Sequence, residues 1–357
     1  MAGVGEVAAD FSPNSTDVGS GFLFTLLLLS VLSGSSDAQP RNPNSVVAQD
    51  GSGNFTTIAE ALQAAPDNSP QIYYIKIRPG KYMENVIVDI TKTNIAFLGE
   101  GMDTTIISGN KSFGAGYQTS QTATVVIKAP GFIAMDVTFE NTAGPYYGQA
   151  LALTSENDYI AFYRCRFLGY QDTLNPQSGI QFFRECEIYG TVDFIFGDAT
   201  VVMQNSIIYA RKPLDGQSNV ITAQGRSVPT SSTGTVIQNC SIKAAPDLLP
   251  YKSQIKTYLG RPWKDYSRSI IMQSNLGDFI DPAGWLQWEG APNRSKTAYY
   301  VEYDNTGPGA NTAGRVQWPG YHIQTNPTTV MNFTVRNFIR GDRWIPKTGI
   351  PFFLDLM

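Results

Sequence analysis

AFYRCRFLGYQDTL, residues 161–174, lies without a gap over FFRECEIYGTVDFI, residues 182–195, when the chain is shifted against itself by 21 residues. The columns match in chemistry: Phe162 meets Phe183, Cys165 meets Cys186, Phe167 meets Ile188, Gly169 meets Gly190 and Asp172 meets Asp193. VVMQNSIIYA (201–210) and TVIQNCSIKA (235–244) echo the same unit, with Ser206 and Cys240 in the cysteine column. A short-stranded unit of about 20 residues buries its apolar columns only by stacking on its neighbours, so the repeat predicts an all-β fold, a right-handed parallel β-helix. A β-sandwich seldom shows such stacked columns, and the LxxLxL pattern of a leucine-rich repeat is absent.

Outward from the repeat the texture is the same. YYIKI, NVIVDI, NIAFL, TTIIS and ATVVI are β-branched or aromatic runs bounded by Gly, Pro, Asn or Asp, and they read as strands. The one clear helical stretch is TIAEALQAA, Thr57 to Ala65, which ends at Pro66 and is expected to form a short N-terminal capping helix for the solenoid. Residues 22–32, FLFTLLLLSVL, are too short to span a bilayer, which takes about 20 residues. The run reads as a signal-peptide h-region, although no Lys or Arg precedes it; an uncleaved anchor or the remnant of an upstream segment are the alternatives. With the Ser-, Asn- and Pro-rich linker that follows, the expected division is a signal-like segment and linker over 1–45 and a β-helix domain over 46–357.

With 42% hydrophobic residues, the 357-residue chain can bury a sizeable core. A formal charge of −4 and a pI near 5.2 argue against nucleic acid as a partner, because phosphate binding relies on clustered Lys and Arg. An acidic polymer would have to be recognised through shape, stacking and local cations. Six Asn-x-Ser/Thr sequons, at Asn14, Asn54, Asn110, Asn239, Asn293 and Asn332, point to a secretory route. Three cysteines with no CxxC or Cys/His cluster give no reason to expect a metal or another cofactor.

Successive coils in register bring equivalent positions to about 4.8 Å, so Asp172 and Asp193 are expected to stack. Like charges that close do not both ionise cheaply, and one shared proton suits a general acid beside a nucleophile or base. The bland alternative is a ladder of turn aspartates accepting backbone N–H bonds. Against it, Asp193 sits in the apolar run GTVDFIFG, and Gln171, a donor suited to an oxyanion, adjoins Asp172. The chain has a single histidine, His322, read as structural, and no GxSxG elbow, which excludes a Ser-His-Asp hydrolase. Hydrolysis here would rest on carboxylates.

In order along the chain, GKYMEN (80–85), GQALAL (148–153), GYQDTL (169–174), GTVDFIFG (190–197), ITAQGR (221–226) and YLGRPW (258–263) resemble the signature motifs of plant pectin methylesterases. The likeness runs from about Val46 to the C-terminus, and that family is itself a right-handed parallel β-helix. The resemblance implies hydrolysis of the C6 methyl esters of polygalacturonate, with Asp193 as nucleophile and Asp172 as acid, then base. Gln149 and Gln171 would donate to the oxyanion, and Arg261 would hydrogen-bond Asp193 and keep it ionised. It further implies that Thr119, Phe196, Trp263 and Trp285 line the sugar cleft, while Trp288, Trp318 and Trp344 read as core. Methyl-esterified pectin is then the substrate and a proteinaceous inhibitor a partner of a secreted, cell-wall, monomeric glycoprotein.

The sequence departs from the family in two places. After GYQDTL the family commonly continues with Tyr and then a segment containing His and Arg, where this chain has NPQSGI from Asn175 to Ile180, so one subsite aromatic is missing. Ser206 stands where the family often has Cys, which leaves Cys240 without its usual partner; whether Cys165 and Cys186 are bridged stays open. Two other functions compete with the esterase. Two carboxylates about 5 Å apart also suit a retaining β-helix glycosidase, although an oxyanion site serves a carbonyl. A catalytically impaired wall-binding homologue is favoured only by the altered loop.

Overall fold

The computed structural model describes residues 42–357, so the apolar run 22–32, the linker up to Arg41 and the sequon at Asn14 lie outside the described residues. Among the described residues, the strands fall into three sheets of eleven, seven and eight, and every pairing is parallel. From Tyr73–Ile77 to Asn275–Leu276 successive strands visit the three sheets in strict rotation, which is the expected right-handed parallel β-helix. The shift of 21 residues is the register itself: Ala161 pairs with Phe182, Arg166 with Glu187 and Leu174 with Ile195, one pairing in each sheet.

Inward columns form the main core, because alternate strand residues face the lumen of the solenoid. Phe162 stacks on Phe183 with ring centroids 4.7 Å apart, and Phe139 stacks on Phe167 at 5.4 Å. The corner leaving the eleven-stranded sheet is built from residues in the left-handed region, among them Asp136, Arg164, Glu185, Asn205, Asn239, Gln273 and Asp304. Immediately inside it runs the cysteine column. The Ser206 hydroxyl accepts from the Cys186 N–H at 3.1 Å, the Cys240 sulfur from the Ser206 N–H at 3.3 Å and the Ser274 hydroxyl from the Cys240 N–H at 3.1 Å. A small side chain with an acceptor caps a backbone donor there, so Ser and Cys interchange, and Cys165, Cys186 and Cys240 are buried free thiols.

The capping helix spans Ile58–Ala64 with Thr57 as N-cap in a capping box with Glu60, and it buries Ile58, Ala61 and Leu62. Its C-terminal carbonyls receive the Lys92 ammonium, which donates to Ala65 O at 2.6 Å. Further helices, unmarked by the sequence reading, include Val335–Phe338 and Gly341–Thr348. They are short, and Pro346 interrupts the second, so no helical period of useful length is written in them. Together with the C-terminal tail they pack Trp344, Ile345 and Ile350 against Phe182, Val202 and Ile270 on the outer face of the eleven-stranded sheet. That face is covered; a small apolar cluster of Leu151, Phe196, Ala223 and their neighbours marks the outer face of the seven-stranded sheet.

The glycine column has a packing cause. A Cβ at Gly190 would lie 2.2 Å from Phe194 Cβ, and one at Gly169 would lie 2.6 Å from the Thr173 hydroxyl. Gly190→Ala is expected to cost about 1–3 kcal/mol in denaturant unfolding and Gly169→Ala less, because a hydroxyl tip yields more readily than a buried ring stem.

Candidate active site

The six-residue turns Gly169–Leu174 and Gly190–Ile195 lead from the eight-stranded into the seven-stranded sheet, and each has an aspartate in the left-handed region: Asp172 with φ 61° and Asp193 with φ 53°. Aspartate tolerates that conformation better than most residues, and it turns both carboxyls outward while Leu174 and Ile195 continue into the core. The Asp172 N–H donates to Val192 O at 3.0 Å, which fixes one turn on the next. The two carboxyl groups are therefore stacked neighbours, 9% and 7% exposed.

Arg261 comes from a segment 68 residues further along and follows the strand Thr257–Gly260. Its Nε donates to Asp193 Oδ1 at 2.7 Å and its Nη2 to Oδ2 at 2.5 Å, a bidentate pair. The guanidinium lies over the Trp288 ring at 4.4 Å. Burial pushes the Asp172 carboxyl well above the usual carboxylate range, and the neighbouring Asp193 charge pushes it further, against a smaller opposing effect of Arg261. Burial also raises Asp193, but its two bonds from Arg261 oppose that rise. Both carboxyls are raised, Asp172 the further of the two, so a proton shared by the pair is favoured on Asp172.

These groups open on a cleft of about 440 Å³ over the outer face of the seven-stranded sheet. Gln149, Gln171, Thr119, Phe196 and Trp263 line it with the two aspartates and Arg261. Gln149 and Gln171 have no side-chain hydrogen-bond partner among the described residues, so both carboxamides are available to a ligand. Phe196 and Trp263 meet edge to face at 5.9 Å, and Trp263 packs so closely on Gly225 that a Cβ there would lie 2.7 Å from the indole. An acid, a paired carboxylate and free amide donors around one point can transfer an acyl group through a carboxylate nucleophile.

A pectinesterase family model matches residues 44–342. The chain belongs to the pectinesterase family. It is 53% identical over 309 residues to Pectinesterase 2 of Citrus sinensis, covering 87% of this chain and 60% of that protein. It is 50% identical over 309 residues to Probable pectinesterase/pectinesterase inhibitor 20 of Arabidopsis thaliana, covering 86% and 55%. The chain thus spans between 55% and 60% of the length of these two curated relatives. Among solved structures, pectin methylesterase from carrot superposes with a TM-score of 0.87 at 50% identity, over 88% of this chain and 98% of the carrot chain.

One expected cleft residue of this pectinesterase-family chain is elsewhere. Trp285 is 1% exposed and belongs to the core: it packs on Tyr300 at 4.3 Å, and its Nε1 donates to Glu302 at 3.2 Å. Glu302 in turn is held by a bidentate Arg315, both buried. Trp288, expected in the core, lines the cleft instead. Extended-chain residues three apart face opposite ways, so PAGWLQW announces one buried and one outward tryptophan without saying which. Asn175, Gln177, Ser120, Leu151 and Ala223 also line the cleft and were not singled out as binding residues.

Trp285→Ala is expected to destabilise the fold by about 3–5 kcal/mol. Trp288→Ala should cost less and act mainly on KM and the pH profile; denaturant titration beside kinetics separates the two. Because the folded-state pKa of Asp172 is raised, its stability contribution is complete below the ordinary carboxylate pKa and is lost as pH rises through the folded value. Asp172→Asn should therefore raise the melting temperature at pH 7 and change it less near pH 4.

Proposed function

We propose that this chain hydrolyses the C6 methyl esters of polygalacturonate to free carboxylate and methanol. The reading is carried by one observation, the Arg261 fork on Asp193 beside a buried Asp172, whose burial and charged neighbour favour its protonated form. Asp193, ionised, attacks the ester carbonyl; the oxygen of the tetrahedral intermediate accepts from the Gln149 and Gln171 carboxamides. Asp172 gives its proton to the departing methoxy oxygen, leaving an acyl–enzyme anhydride on Asp193. Asp172, now a carboxylate, takes a proton from water as that water attacks the anhydride, which frees the acid and restores both aspartates. Each step uses a group already at the cleft, and the proton that leaves Asp172 returns to it.

Substrate is held through Thr119, Phe196 and Trp263, with the aromatic faces against pyranose rings; Trp288 takes the place that Trp285 was expected to fill. The substrate class is methyl-esterified homogalacturonan in the plant cell wall. Secretion and glycosylation are supported by the sequons, since Asn54, Asn110, Asn239, Asn293 and Asn332 are all exposed. A proteinaceous inhibitor that covers the cleft fits the same reading, as does action as a monomer.

The direct test is methanol release from highly methylated pectin with parallel assay of reducing ends. Methanol without new ends supports the esterase, and chain cleavage would sink it. Asp193→Asn is expected to lower kcat by about a thousandfold or more with the fold intact. The rate should fall at low pH as Asp193 takes a proton and at high pH as Asp172 loses one. Arg261→Lys, which keeps the charge and loses the fork, should lower kcat and move the acidic limb toward neutrality.

A further inference from the structure

A second groove crosses the coils at the edge of the eleven-stranded sheet. Two adjoining cavities of about 440 Å³ and 340 Å³ lie between the helix Gly341–Thr348 and that edge, and they share Tyr159, Arg343 and Trp344. Their floor is one corner of the solenoid, repeated. Asn94, Ile133, Tyr159, Ile180, Thr200 and Ser232 stand at or just before the starts of six neighbouring strands of the sheet. Five steps of about 4.8 Å make a track of about 24 Å, along which an extended polymer can lie.

The charge along this track has one sign. Arg343 lines both cavities, Lys347 the first and Arg340 the second; all three are exposed, and no Asp or Glu lines either cavity. Among the described residues none of the three side chains has a hydrogen-bond or ion-pair partner, whereas every other described arginine has at least one. Tyr159 supplies a ring beside them. It is 47% exposed, packs on Trp344 at 5.7 Å and is held in the left-handed region at φ 64°, a conformation uncommon for a bulky residue. A solvated basic face needs neither a cavity nor a ring. Cations spaced along a groove beside a half-exposed ring suit a chain that repeats carboxylates and pyranose faces. Nucleic acid, another polyanion, is disfavoured by the chain's formal charge of −4. In the catalytic cleft, by contrast, the one cation among the lining residues, Arg261, is already engaged by Asp193. We propose that this groove is a second polysaccharide site that binds runs of free galacturonate, the de-esterified form of the polymer, and so tethers the enzyme to stretches already processed.

The inference rests on the esterase reading only for the identity of the polymer, and the test keeps the two apart. Binding of the full chain is measured by its retardation in native gels containing polygalacturonate, which has no ester to cleave. A neutral galactan and polyglutamate, which has carboxylates but no sugar rings, serve as comparison polymers. Wild type is expected to bind polygalacturonate at least about tenfold more tightly than either, with an affinity that falls as salt is added. The combined variant Arg340→Gln, Arg343→Gln and Lys347→Gln should weaken that binding by about tenfold, and Tyr159→Ala by about threefold. Trp263→Ala, in the catalytic cleft, should change it by less than about twofold, since the cleft is a separate site. No retardation of wild type, or equal retardation of the combined variant, overturns the groove, as does loss of binding in Trp263→Ala. Equal affinity for polyglutamate overturns the assignment to a uronate polymer. If the combined variant does not fold, Arg343→Gln alone decides, with about a threefold loss expected and no change overturning the proposal. Absence of methanol release with binding intact would count against the esterase reading alone.

Discussion

In-register parallel stacking is the constraint on which the rest of this molecule depends. No coil closes a core by itself; the Phe162 ring is buried because Phe132, Phe139, Phe167 and Phe183 surround it from its own and adjacent coils. Slipping one strand by a residue would send that column to the outer face. The left-handed corner residues and the Cys/Ser column prevent such a slip, since they fix where each coil turns and satisfy the donors exposed by turning. Register, once fixed for packing, also fixes which outward side chains meet.

That is how a solenoid brings two like charges together. Asp172 and Asp193 are stacked by the same shift that stacks their neighbouring core residues, and the strands on either side leave them little freedom to separate. Mutual repulsion and burial both oppose ionisation, and left to themselves the two carboxyls would be alike. Arg261 breaks the symmetry. It arrives from a later coil and grips only Asp193, so two chemically identical carboxyls sit in different fields, and ionisation costs less at Asp193 than at Asp172. The cost of burying the pair is sustained by the stacked coils around it.

Much of this was legible in the sequence because the coils carrying the site have the shortest turns. Between Ala161 and Phe182 a coil takes 21 residues, so the columns align without a gap. From Val202 to Val236 the corresponding step is 34 residues, and from Ala96 to Ile133 it is 37, with the extra chain spent in loops, so no single shift aligns all the coils: the echo of VVMQNSIIYA in TVIQNCSIKA was visible by its motif, and the step at Ala96 was not. The C-terminal helices were unread for a related reason: they are short, and their apolar residues answer the outer face of the eleven-stranded sheet instead of a helical period of their own. Trp285 and Trp288 were exchanged because alternation gives opposite faces without naming the inner one. Asn175 was seen as an absent aromatic; its unpartnered oxygen is a property of three strands together and has no signature in one.

The outer faces complete the functional logic. The C-terminal tail covers the eleven-stranded sheet and makes it two-sided, which is why Phe182 and Val202 are as buried as the lumen residues. On the seven-stranded sheet the outward column changes character along the solenoid, from Thr154 and Asn175 through Phe196 and Ala223 toward Arg261 and Trp263. The amides Gln171 and Asn175 therefore share a coil with Asp172, and the aromatic Phe196 shares one with Asp193. A repeat architecture permits this division because outward residues on one coil can change without disturbing the inward columns that hold the fold together.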